Sequence, residues 1–94
     1  MVIRIVRMYF EPGTTSQFQE IFENSKSTIL ASPGCTHLEL WQDLHDESVF
    51  ITHSHWESEA ALNRYRSTPF FKSVWQETKK LFRDKPFVFS VKKV

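Results

Sequence analysis

Ninety-four residues with 12 Lys and Arg against 11 Asp and Glu, a formal net charge of +1, are enough for one domain with one core and leave no basic surplus to release counterions from a nucleic-acid backbone. Hydrophobic residues at 40% and charged residues at 24% argue against disorder, and no apolar run approaches the roughly twenty residues a membrane-crossing helix needs. Neither nucleic acid nor a membrane is therefore expected as a partner. The single cysteine, Cys35, can form no internal disulfide, and the opening stretch Met1 to Val6 has no long apolar signal region, so a reducing, cytoplasmic setting is expected.

Along the chain, Val2 to Phe10 is rich in Val, Ile and aromatic residues and is closed by Pro12-Gly13, which predicts a first strand ended by a turn. Thr14, Thr15 and Ser16 offer side-chain oxygens for a helix N-cap. Phe18, Ile21, Phe22, Ser25 and Ile29 then recur at helical spacing, predicting an amphipathic helix that ends near Ser32-Pro33-Gly34. Thr36 to Gln42 and Val49 to Trp56 read as two antiparallel strands joined by a polar hairpin loop. Ser58 caps a short helix through Tyr65, and Thr68-Pro69 restarts a second helical segment, because proline favours the first helical position. Phe70, Phe71, Val74, Trp75, Thr78, Leu81 and Phe82 give that segment a wide apolar face, Pro86 stops it, and Phe87 to Val91 reads as a last strand. The predicted fold is α+β, a ferredoxin-like β-α-β-β-α-β unit with a four-stranded antiparallel sheet, over a single domain of residues 1–94. Helices cover one sheet face only, so the apolar residues of the other face call for a partner, most economically a second copy of the chain.

Aromatic residues make up 15% of the chain: nine Phe, three Trp and two Tyr. Such an excess serves a core, an interface or an organic-ligand pocket. Gly13 and Gly34 are the only glycines, so no phosphate-cradling loop exists. Cys35 has no base beside it in sequence to make it a nucleophile. His37, Glu39, His53 and His55 alternate along two paired strands, and they share one face only if His37 lies opposite His55 and Glu39 opposite His53. Isolated histidines on half-exposed strands usually serve structure or solvation, and no metal ligand is assigned to them.

The stretch Trp56-Glu57-Ser58-Glu59-Ala60-Ala61-Leu62, followed by Ser67-Thr68-Pro69-Phe70-Phe71, resembles the strand-to-helix signature of the antibiotic-biosynthesis monooxygenase family, as do Pro33-Gly34-Cys35 and the Pro12-Gly13 turn. The resemblance spans nearly the whole chain. It implies a homodimeric α+β barrel with a cleft between sheet and helices in each protomer. Members of that family include cofactor-free oxygenases of quinols and anthrones, haem-degrading enzymes and proteins of no known reaction, so fold does not choose among them. In the haem-degrading branch the iron ligand is a histidine at the position matched here by Trp75, and an indole nitrogen has no lone pair for iron. No cofactor is expected. In the polyketide-anthrone branch a Trp ends the third strand and an Asn lies four residues before it; Trp56 matches the first and Thr52 replaces the second.

The resemblance thus implies a cofactor-independent monooxygenase acting on a small aromatic, quinol- or anthrone-like compound, with Trp56, Thr52 and Tyr65 nearest the chemistry. Leu38, Leu40, Phe50, Leu62, Phe71 and Trp75 would line the cavity, and Arg4 would approach an anionic oxygen from the first strand. The alternative is a non-catalytic dimer of the same fold that binds a small ligand or serves structure alone.

Overall fold

The computed structural model describes residues 1–94 and has the order β1 (Val2–Tyr9), α1 (Thr15–Leu30), β2 (Cys35–Gln42), β3 (Val49–Trp56), α2 (Glu59–Arg66), α3 (Pro69–Lys79) and β4 (Phe87–Val91). The ferredoxin-like unit expected from the sequence is present, its second helical region broken into two helices where Ser67-Thr68-Pro69 interrupts it. All pairings are antiparallel, and the sheet order is β2-β3-β1-β4.

The helix starts are local events. The hydroxyl oxygens of Ser58 and Thr68 accept from the backbone N–H groups of Ala61 and Phe71, each at 3.1 Å, and so satisfy donors the first helical turn leaves free. Thr14 does otherwise. It is the N-cap of α1, but its hydroxyl donates to the Glu11 carbonyl at 2.7 Å and closes the Pro12-Gly13 turn instead of capping the helix. Some boundaries differ from expectation. β1 ends at Tyr9, with Phe10 forming a lone bridge to Phe82; β2 begins at Cys35; and α3 ends at Lys79, leaving Leu81 and Phe82 in the turn that packs over Phe10. In each case a tertiary contact, not the local pattern, sets the end.

Gly13 and Gly34 both have φ of +87°, a region open mainly to glycine. Around Gly13 there is open space, whereas a Cβ on Gly34 would lie 2.5 Å from the Cβ of Ala61. The Gly34 carbonyl also accepts from the Glu57 N–H at 2.8 Å, seating the start of β2 against the junction of β3 and α2.

Side chains buried under the helices form two clusters. Met8, Phe10, Phe18, Phe22 and Phe50 fill one end, with Phe10 and Phe18 stacked at 4.4 Å between ring centroids. Trp56, Ala61 and Leu62 fill the other. Between them the layer is not filled, and a cavity with members of both clusters in its wall opens there.

Candidate active site

The cavity has a volume of about 610 Å³, within the range that holds a small organic molecule. Its floor is the helix-facing side of the sheet, because alternate residues of a strand share a face: Arg4, Val6 and Met8 from β1, Leu38 from β2, and Thr52, Ser54 and Trp56 from β3. The apolar stripe of α1, from Phe18 to Ile29, forms one wall. Leu62 and Tyr65 of α2 and Phe71 and Trp75 of α3 form the opposite side.

Of the residues singled out from the sequence, Arg4, Leu38, Thr52, Trp56, Leu62, Tyr65, Phe71 and Trp75 meet at this cavity. Leu40 and Phe50 do not. They point to the same sheet face but sit where the layer is full: Phe50 lies 5.4 Å from the Phe18 ring and 6.0 Å from Phe10, and Leu40 packs against that cluster. Distance along the strand, invisible in the alternation pattern, separates floor from core.

The aromatic side chains form a continuous rail. Trp56 stacks on Tyr65 at 5.0 Å, Tyr65 meets Phe71 edge-on at 5.2 Å, Phe71 lies parallel to Trp75 at 6.1 Å, and Trp75 meets Phe82 at 5.7 Å. Trp56 is only 1% exposed, and its indole N–H donates to the Ser54 hydroxyl at 3.0 Å, so the ring is held in one orientation. Ser25 and Thr78 donate their hydroxyls to the carbonyls of Ile21 and Val74 on their own helices at 2.7 and 2.8 Å. Buried hydroxyls in this wall are therefore satisfied without a ligand.

The electrostatics are one-sided. Arg4, Arg66 and Lys72 all border the cavity, and no carboxylate, imidazole or thiol does. None of the three cations takes part in any of the chain's five ion pairs. Arg4 donates only to the Ser90 hydroxyl, at 3.0 Å, and its pKa is lowered by partial burial and then by the nearby charge of Arg66. Positive charge therefore gathers at the border of the cavity with no acidic partner there. Burial, and secondarily the neighbouring Cys35, pushes the Tyr65 phenol up to about 12. At neutral pH Tyr65 is a hydrogen-bond donor and no base.

Arg66 and Lys72 escaped the reading of the sequence. Arg66 follows Leu62 by four residues, so helical spacing already placed it beside a wall residue; a charge at a helix end is ordinarily read as solvated. On the opposite sheet face, His37 pairs with His55 and Glu39 with His53, the register that unites them and also keeps them out of the cleft.

A model of the antibiotic biosynthesis monooxygenase family matches residues 1–77. No protein of curated function matches the chain's sequence. Among solved structures, the crystal structure of an antibiotic biosynthesis monooxygenase superimposes with a TM-score of 0.93 at 19% identity, covering 100% of this chain and 99% of that one. A conserved protein from Methanosarcina mazei Go1 gives 0.92 at 17% identity over 100% and 94%, and one from Mycobacterium tuberculosis 0.89 at 18% over 99% and 94%. At such identities the likeness establishes the fold. No helix is long and apolar enough to cross a membrane.

Proposed function

The chain belongs to the antibiotic biosynthesis monooxygenase family, and from that premise we propose that residues 1–94 act as one domain, a cofactor-independent monooxygenase of a small aromatic, quinol- or anthrone-like compound. The observation that carries the reading is the cleft itself: an aromatic-walled cavity bordered by three unpaired cations and no acid. An anthrone-type anion can give one electron to dioxygen; the resulting radical and superoxide then join through a new C–O bond. The peroxide anion takes up a proton from water, and the resulting hydroperoxide loses its outer oxygen with the remaining C–H hydrogen as water, so the ring CH₂ becomes C=O. Neither a metal nor a flavin is needed in that sequence.

The residues have separate tasks. Arg4 and Arg66 favour the substrate's anionic form, so its proton passes to solvent water without a general base in the wall. The Tyr65 phenol supplies a neutral donor to the same oxygen, and Trp56 and Trp75 hold the flat ring. Thr52 contributes a hydroxyl to the floor. Oxygen uptake by the metal-stripped protein with a panel of anthrones, quinols and catechols tests the proposal. Enzyme-dependent uptake that survives chelators is expected, and Tyr65→Phe, which removes only the hydroxyl, should lower it about tenfold, the worth of one hydrogen bond to a charged oxygen. Uptake no faster than autoxidation throughout the panel would favour the second reading, a ligand-binding or structural dimer. The absence of an acid–base residue from the wall is the observation on that side.

The same proposal includes a homodimer working in the cytoplasm, where the lone Cys35 stays a thiol. Every residue of β4 is exposed, with Phe87 at 60% and Val91 at 45%. Phe89 and Val91 stand in register beside Ile5 and Ile3 on the sheet face without helices. An apolar patch of that extent usually marks an interface. Sedimentation at micromolar concentration should give twice the chain mass of 11.2 kDa; a stable species of single-chain mass would rule the dimer out.

A further inference from the structure

We propose that His37, Glu39 and His53, on the sheet face opposite the cleft, form a binding site for a divalent transition metal ion such as Zn²⁺. Two imidazoles and one carboxylate are a common ligand set for such ions. Glu39 Oε1 lies 2.7 Å from His37 Nε2 and 3.2 Å from His53 Nδ1, and the three donor atoms all fall within 4.8 Å of one another. With metal–ligand bonds of about 2.1 Å, tetrahedral donors sit about 3.4 Å apart. The present cluster brackets that spacing, so small side-chain rotations admit an ion and leave the fourth position to water.

The strands supply the preorganisation. Pairing of Glu39 with His53 and of His37 with His55 puts all four side chains on one face. Trp41 stacks on the His53 ring at 4.6 Å, which restrains its rotation. His55 Nε2 is 3.0 Å from His53 Nε2. When His53 Nδ1 binds the ion, its proton sits on Nε2 and donates to His55, the outer hydrogen bond that metal-bound histidines ordinarily make.

Since the site and the cleft lie on opposite faces of the sheet, the ion's role is to tie β2 to β3, separate from any oxygen chemistry. The test is titration of the metal-stripped protein with Co²⁺, followed by its visible absorption, and displacement by Zn²⁺. One Co²⁺ per chain is expected, with bands of four-coordinate intensity. Glu39→Gln and His53→Gln should each weaken binding about a hundredfold and His55→Gln about tenfold, while His45→Gln, in the β2–β3 loop, should leave it unchanged. Imidazole nitrogen resonances of the unaltered protein provide a reading free of folding effects: Zn²⁺ should shift those of His37 and His53. No saturable uptake, equal affinity in the Glu39 and His53 variants, or unmoved His37 and His53 resonances would overturn the site.

Discussion

Gly34→Ala is expected to cost the protein about 3 kcal/mol of stability, the sum of a left-handed backbone at a residue with a Cβ and of an overpacked contact. For a domain of this size that lowers the melting temperature by roughly 10 °C or more. The contact is specific: the new Cβ would meet that of Ala61 at 2.5 Å, where Ala61 and Leu62 of α2 pack on Trp56. Gly13→Ala, with the same φ and nothing nearby, should cost only about 1 kcal/mol. The two effects separate in a double-mutant cycle. In an Ala61→Gly background the added cost of Gly34→Ala should shrink toward that of Gly13→Ala. If Gly34→Ala melts like Gly13→Ala in the unaltered background, the close packing of α2 on the β2 start is refuted.

The second large effect concerns charge in the cleft. Arg4→Gln keeps a polar side chain of similar reach but removes the desolvated cation that no carboxylate neutralises. A hydrogen bond to a charged group contributes about 1.5–3 kcal/mol, so an anionic aromatic ligand should bind roughly tenfold to a hundredfold more weakly. Anilinonaphthalene sulfonate and the uncharged phenylnaphthylamine share a ring system and differ in the anion, which makes them a suitable pair for fluorescence titration. Only the sulfonate should lose affinity. An equal loss for both probes would mean that Arg4 shapes the cavity and does not read charge. The pair also tests the catalytic proposal indirectly, because substrate-anion stabilisation and probe-anion binding use the same guanidinium.

Most of the fold could be read from local pattern. β3 runs from Val49 to Trp56 and β4 from Phe87 to Val91 as the residue types indicated, and the caps Ser58 and Thr68 begin their helices. These signals are short-ranged: alternation along a strand, 3.6-residue spacing along a helix, and a side-chain oxygen within reach of a free N–H. Where they failed, a distant segment intervened. Phe10 was counted as strand but belongs to a bridge with Phe82, and the Thr14 hydroxyl turned back to Glu11.

The candidate site was legible only in part. The family resemblance placed Trp56, Tyr65, Phe71 and Trp75 in the cleft, and it placed Leu40 and Phe50 there too, but Phe50 lies in the filled core and Leu40 packs against it. Nothing local in Arg4 and Arg66, sixty-two positions apart, tells that their charges act on one another; that follows from folding α2 back over the sheet, which brings both to one cavity. The histidine cluster is the same case. Alternation put His37 with Glu39 and His53 with His55 on faces of their own strands, but a slip of one residue would have parted the two pairs. Residue type and spacing therefore specified the elements, their order and the faces they bury. Strand register and helix docking, set by contacts between remote parts of the chain, settled which charges, rings and imidazoles meet.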